Sequence, residues 1–159
     1  MKVISSDCCS VAKTETTVER CPRCNEKGKG VSLTTVGSMV KTAVPAEKLS
    51  QATYKLCRNI GCPVVYFAHG IAIGKSELRV PVNFKEKSYD GQICYCFNHT
   101  VASIKAEIQS KGHSTAPAMI TTEVKAGRCA CEVKNPAGTC CLGDVTRVIQ
   151  TVLDQLNRK

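Results

Sequence analysis

The sequence predicts an α+β protein in which strands come first and helices follow. Three observations carry that reading. Between residues 21 and 90 the apolar residues are β-branched or aromatic and fall in short runs, such as VVYF at 64–67. Beyond residue 91 the apolar spacing changes to three and four, ending in a stripe of Val145, Val148, Ile149, Val152, Leu153 and Leu156. Twelve cysteines accompany an aromatic content of only 4% and no Trp, the composition of a thin core that needs cross-links or metals.

Residues 1–20 are rich in Ser, Thr and Val without periodicity and are expected to form a flexible tail. A strand-rich region follows over 21–90. VSLTTV at 31–36 alternates in part and reads as a strand. VVYF reads as another, closed by a turn at His69 and Gly70. In ELRVPVNF at 77–84, Leu78, Val80, Val82 and Phe84 share one face at period two, and Pro81 makes this an edge strand or a bulge. A helical region covers 91–159. Thr100 caps a first helix with Val101, Ile104 and Ile108 inward and a Glu107–Lys111 pair, stopped by Gly112. A second spans 116–126, with Met119, Ile120 and Val124 inward. A third begins near Asp144 and ends in Asn157, Arg158 and Lys159, whose charge suits a helix C-terminus.

The opening MKVISSDCCSVAKTETTVER lacks the apolar stretch of a signal peptide, and no run of 18 apolar residues exists. A cytoplasmic chain without a membrane span is expected, with reduced thiols that bind metal rather than pair as disulfides. The formal charge of +9 invites an anionic partner. Eight ionised thiolates, set against one zinc ion and one iron–sulfide core, would cancel roughly half of it. With no aromatic-rich RNA-binding strand and no continuous basic helix, nucleic acid is not the expected partner. No Ser-His-Asp arrangement or Gly-rich phosphate loop points to an enzyme.

The thiols fall into two sets. CPRC at 21–24 and CRNIGC at 57–62 supply two chelating pairs, Cys21 with Cys24 and Cys57 with Cys62. Four matched thiols suit a closed tetrahedral structural site for zinc, or for iron in a rubredoxin-like centre. The second set is CYC at 94–96 with CACEVKNPAGTCC at 129–141. Six thiols compete there for one four-ligand site. Cys94 and Cys96 both qualify, Cys131 or Cys129 is a third, and Cys141 is preferred to Cys140 because it lies nearer the helix start. The Asn135-Pro136-Ala137-Gly138 turn folds a strand at 131 back toward 141. Each part of this set precedes a helix, and two helix N-termini would favour an anionic 2Fe–2S cluster. A second zinc, giving a two-zinc structural or regulatory module without redox role, is the alternative, because both metals take thiolates. Cys8 and Cys9 stand outside both sets. They read either as a soft-metal pair for Cu(I) or Hg(II) or as unliganded tail thiols. His99, close to CYC, is a candidate to tune the second site, and a capping role is its plainer reading.

At CPRC (21–24), CRNIGCPVVYF (57–67), ELRVPVNFKEK (77–87), CYCFNHT (94–100) and CEVKNPAGTCC (131–141) the chain resembles the N-terminal domain of CopZ-type copper chaperones. Its helical half is similar to bacterioferritin-associated ferredoxin. The resemblance implies zinc at Cys21, Cys24, Cys57 and Cys62, and a 2Fe–2S cluster at Cys94, Cys96, Cys131 and Cys141. It also implies single-electron transfer in copper or other soft-metal handling, such as reduction of Cu(II) to Cu(I). In those chaperones a heavy-metal-associated domain with an M-x-C-x-x-C loop follows, and these 159 residues hold no such loop. The expected partners are therefore copper ions, a separate copper chaperone or metal-transport ATPase, and an electron donor that the sequence does not name.

Overall fold

Residues 18–51, 53–87 and 90–158 are described by the computed structural model. An antiparallel sheet runs in the spatial order β1 (Lys29–Val31), β2 (Tyr54–Leu56), β3 (Val64–Ala68) and β4 (Ile71–Gly74). Lys29 faces Leu56, Lys55 faces Phe67 and Tyr66 faces Ile73. β3 is buried at every position, as a strand covered on both faces must be. A register shift between Val64 and Tyr66 resets its alternation. Val64 and Phe67 therefore turn to one face, against Cys21, Cys57 and Cys62. Tyr66 and Ala68 turn to the other, where Val36, Met39, Leu56 and Ile73 form the larger core. Gly28 lets this layer close: a Cβ there would lie 2.5 Å from Phe67 Cζ and 2.6 Å from Lys55 Cβ.

The second half begins with a two-stranded ribbon, β5 (Gln92–Cys94) and β6 (His99–Thr100). α1 (Leu33–Met39) belongs to the first half, and α2 (Val101–Lys111), α3 (Ala116–Lys125), α4 (Cys131–Lys134) and α5 (Leu142–Asn157) to the second. Ile93, Ile104, Ile108, Ile120, Val145 and Val152 form a core of their own. α2 starts and stops as expected. Thr100 accepts from Ser103 N at 2.9 Å, and Gly112 closes the helix at φ 77°.

The two halves are tied by polar contacts and one apolar plug. Tyr66 donates to the Pro136 carbonyl at 2.6 Å, Tyr95 donates to the Pro81 carbonyl at 2.6 Å, and Arg58 meets Asp144 at 3.3 Å. Ala137 inserts into the core under the sheet. Gly138, at φ 66°, passes so close to Thr35 that a Cβ would lie 2.6 Å from its hydroxyl oxygen.

Several expectations are corrected. VSLTTV at 31–36 is not a strand throughout: β1 ends at Val31 and α1 begins at Leu33. Ser32 caps that helix by accepting from Thr35 N at 3.1 Å, and Thr35, Val36 and Met39 are buried at helical spacing. ELRVPVNF is not a continuous strand either. It is bounded by 3-10 turns at Lys75–Glu77 and Asn83–Lys85, and Leu78 makes an isolated bridge to Val40. Pro81 has no N–H to extend the pairing. On α3 only Ala116 and Ile120 are buried, while Met119 and Val124 are exposed. Residues 131–134 form the helical turn α4 rather than a strand, held by Val133 N and Lys134 N on the Ala130 carbonyl. Of the proposed tail, residues 18–20 belong to the fold: Arg20 bridges to Lys27, and Glu19 pairs with Lys55 at 2.9 Å. Cys8 and Cys9 lie outside the described residues.

Candidate metal centres

Two tight turns deliver the first set of thiols. In the 21–24 knuckle Cys21 N donates to the Glu26 carbonyl and Asn25 N to the Cys21 carbonyl, both at 2.9 Å. Asn25 takes φ 59°, a left-handed conformation that Asn tolerates. In the 57–62 loop Gly61 takes φ 85°, and Cys62 N reaches back to the Asn59 carbonyl at 3.3 Å. Cys57 is anchored to β3 through the Val65 carbonyl at 2.8 Å.

The sulfurs of Cys21, Cys24, Cys57 and Cys62 all lie within 4.8 Å of one another. Cys21 and Cys62 are 3.9 Å apart, and Cys24 and Cys57 3.6 Å. A tetrahedron with metal–sulfur bonds of about 2.3 Å has edges of about 3.8 Å, so the quartet fits one zinc ion. Three of its members are buried and Cys24 is half-buried. Burial opposes ionisation of Cys24, yet the Glu26 backbone and the neighbouring thiols bring its pKa down to about 7. Burial pushes Cys62 up to about 12 and also raises Cys57. Cys24 is thus ready to lose its proton at neutral pH, and the ion itself must displace the protons of Cys57 and Cys62.

The second set is arranged differently. Cys96 and Cys131 are in contact at 3.4 Å. Cys94 interacts with Cys141: that contact, with backbone donors at Phe97, Cys96 and His99, lowers Cys94 to about 6 and raises Cys141. Cys131 is pushed up to about 12, first by burial and then by Cys96. Among the described residues, only the first quartet gathers three or more His, Cys, Asp or Glu ligand atoms within 4.8 Å of one another. In the second set Cys96 touches Cys131 and Cys94 neighbours Cys141, while Cys131 and Cys140 also act on Cys141. Cys94 and Cys141 are buried, Cys96 and Cys131 half-buried, Cys129 half-buried and Cys140 exposed.

The helix ends at this set also differ from expectation. The start of α2 is closed by its own neighbourhood, with Val101 N on the Gly91 carbonyl and Ala102 N on the Asp90 carbonyl. Backbone amides at Cys96, Phe97 and His99 reach Cys94, and at the start of α4 Ala130 N donates to Cys96 Sγ at 3.3 Å. Cys141 does sit immediately before α5. The NPAG turn is as expected. Asn135 is buried, donates to the Thr139 carbonyl at 2.7 Å and accepts from Ala137 N at 2.9 Å. His99 Nε2 is buried without a hydrogen-bond partner.

Short β-structure folded around four thiols, joined to a helical half with a second thiol set, defines a cysteine-rich metal-binding protein. Comparison with known proteins agrees. Residues 18–79 match the zf_CopZ family, described as a zinc binding domain. The chain is 32% identical over 122 residues to the copper chaperone CopZ of Archaeoglobus fulgidus, an alignment covering 77% of this chain and 57% of that protein. It thus spans little more than half the length of that relative. The X-ray structure of the Archaeoglobus fulgidus CopZ N-terminal domain superposes with a TM-score of 0.67 at 31% identity, covering 81% of this chain and 96% of that domain. The chain belongs to the family of CopZ-type N-terminal domains. Among the described residues no helix is long and apolar enough to cross a membrane.

Proposed function

We propose that this chain carries zinc at Cys21, Cys24, Cys57 and Cys62 and a 2Fe–2S cluster at Cys94, Cys96, Cys131 and Cys141, and that it passes single electrons in copper or other soft-metal handling. The observation that carries the reading is the contrast between the two thiol sets. One tetrahedral ion needs four mutually close sulfurs, as in the first set. A binuclear core needs thiolates spread across two metals, and a looser set, with Cys96 on Cys131 and Cys94 beside Cys141, suits it better than a second zinc.

When bound, a 2Fe–2S cluster supplies a one-electron couple. The chain's own part is to hold the thiolates and surround them. Ala130 N donates to Cys96 Sγ, and the backbone amides around Cys94 favour that residue's thiolate form. Ile93 and Leu142 pack around Cys94 and Cys141 and limit water. The half-buried Cys96 and Cys131 leave one side within reach of a partner. An electron from a separate donor protein would pass through this site to Cu(II), giving Cu(I). The copper context rests on the likeness to the Archaeoglobus copper chaperone.

The test is iron, acid-labile sulfide and zinc per chain in anaerobically purified protein, with an EPR spectrum after reduction. Two irons, two sulfides, one zinc and a reduced-state signal are expected. Two zincs with no iron would establish the structural module instead.

A further inference from the structure

We infer that Lys85 is a positioning residue for the four-thiol centre, donating a charged hydrogen bond to the Cys57 thiolate and offsetting part of the negative charge that four thiolates leave around a divalent ion. The inference rests on the zinc assignment proposed above. Lys85 is only 1% exposed, although lysine is almost never fully buried without a partner. Its Nζ donates to the Asn59 carbonyl, within the 57–62 loop, at 3.1 Å. The same ammonium neighbours Cys57. No carboxylate pairs with Lys85 among the described residues, so the Cys57 sulfur is the anion within its reach.

The backbone fixes this placement from both sides. The Lys85 carbonyl accepts from Gly61 N at 3.3 Å, and Lys85 N donates to the Val82 carbonyl at 3.0 Å. The side chain therefore enters the loop between two thiols from a turn hydrogen-bonded to that same loop. Zinc with four thiolates carries a net charge of −2, and burying it without a countercharge is costly. An ammonium held against one sulfur reduces that cost.

The experiment compares full-length wild type, K85M, K85R and C57S, loaded with zinc and challenged with a chromophoric chelator. Each is also loaded with Co(II) for its thiolate-to-metal charge-transfer band. Methionine keeps the length and apolar stem and removes the charge; arginine keeps the charge. K85M is expected to release zinc about tenfold faster than wild type and to move the Co(II) band to longer wavelength, with K85R close to wild type in both. A K85M chain that fails to load while K85R loads would support the inference equally. Equal release and equal band positions in wild type and K85M would overturn it. So would K85R failing as badly as K85M, because packing rather than charge would then be at work. Wild type without zinc, or zinc content untouched in C57S, would overturn the zinc assignment and the inference with it.

Discussion

At the scale of single residues, Glu107 shows how one side chain can hold a corner. Its carboxylate accepts from Thr115 Oγ1 at 2.8 Å, Ser114 Oγ at 2.8 Å and Thr115 N at 3.0 Å, closing the gap between α2 and α3. The Thr115 hydroxyl, then that of Ser114, lowers its pKa from 4.5 to about 2. A depressed carboxylate stabilises the fold above its unfolded value and loses that contribution only as pH falls through the folded one. The window runs from about 4.5 down to about 2. Thiolates, with ordinary values of about 8.5, take up protons and release metal far earlier on acidification. E107Q is therefore expected to abolish amide-exchange protection at Thr115 at neutral pH. Wild type should keep that protection unchanged from about pH 8 to pH 5, as NMR would show. The sequence showed Glu107 only as a partner for Lys111, which is the longest of its contacts at 3.4 Å. Its main partners lie beyond Gly112, where helical spacing carries no information.

At the scale of elements, legibility followed whether a segment's periodicity was set locally. α2 and α5 were legible because a cap, a stripe and a stop all agree, although α5 begins at Leu142 and Leu156 is exposed. α1 was missed because seven residues are too few for the helical period to outweigh the apparent alternation. Ser32, three residues before Thr35, was the available signal. The segment 77–84 was misread because its apolar residues are spaced for a sheet in which Pro81 cannot take part. For the thiols, chelate spacing alone picked out Cys21, Cys24, Cys57 and Cys62, which the fold brings together. Chelate spacing did not separate Cys140 from Cys141; the preference for Cys141 came from its place before the third helix, and the fold separates the two by burial, a tertiary property. Cys141 is buried before α5 and Cys140 is exposed. Under the proposed cluster assignment, C141S is expected to bind no iron and C140S to retain it, as iron per chain after anaerobic reconstitution would read out.

At the scale of the whole molecule, the two cores differ in what supports them. The sheet has strands of three to five residues, and its Val64 and Phe67 rest directly on the first thiol set. The core of Ile104, Ile108, Ile120 and Val145 contains no residue of that set. Zinc removal by a chelator is expected to raise amide exchange across β2 and β3 by about a hundredfold or more while leaving α2 and α5 protected, a contrast that exchange mass spectrometry resolves. The Asn83–Lys85 turn reaches both sides of this division. Lys85 contacts the Asn59 carbonyl, Phe84 lies under Arg58 with the guanidinium 4.8 Å from the ring centre, and Asn83 N faces the Tyr95 hydroxyl at 3.4 Å. All four thiols of the first quartet, and the lysine against it, precede residue 94 in the chain. On the ribosome, the footing on which Tyr95 will rest is thus already translated before the earliest sulfur of the second thiol set has been added.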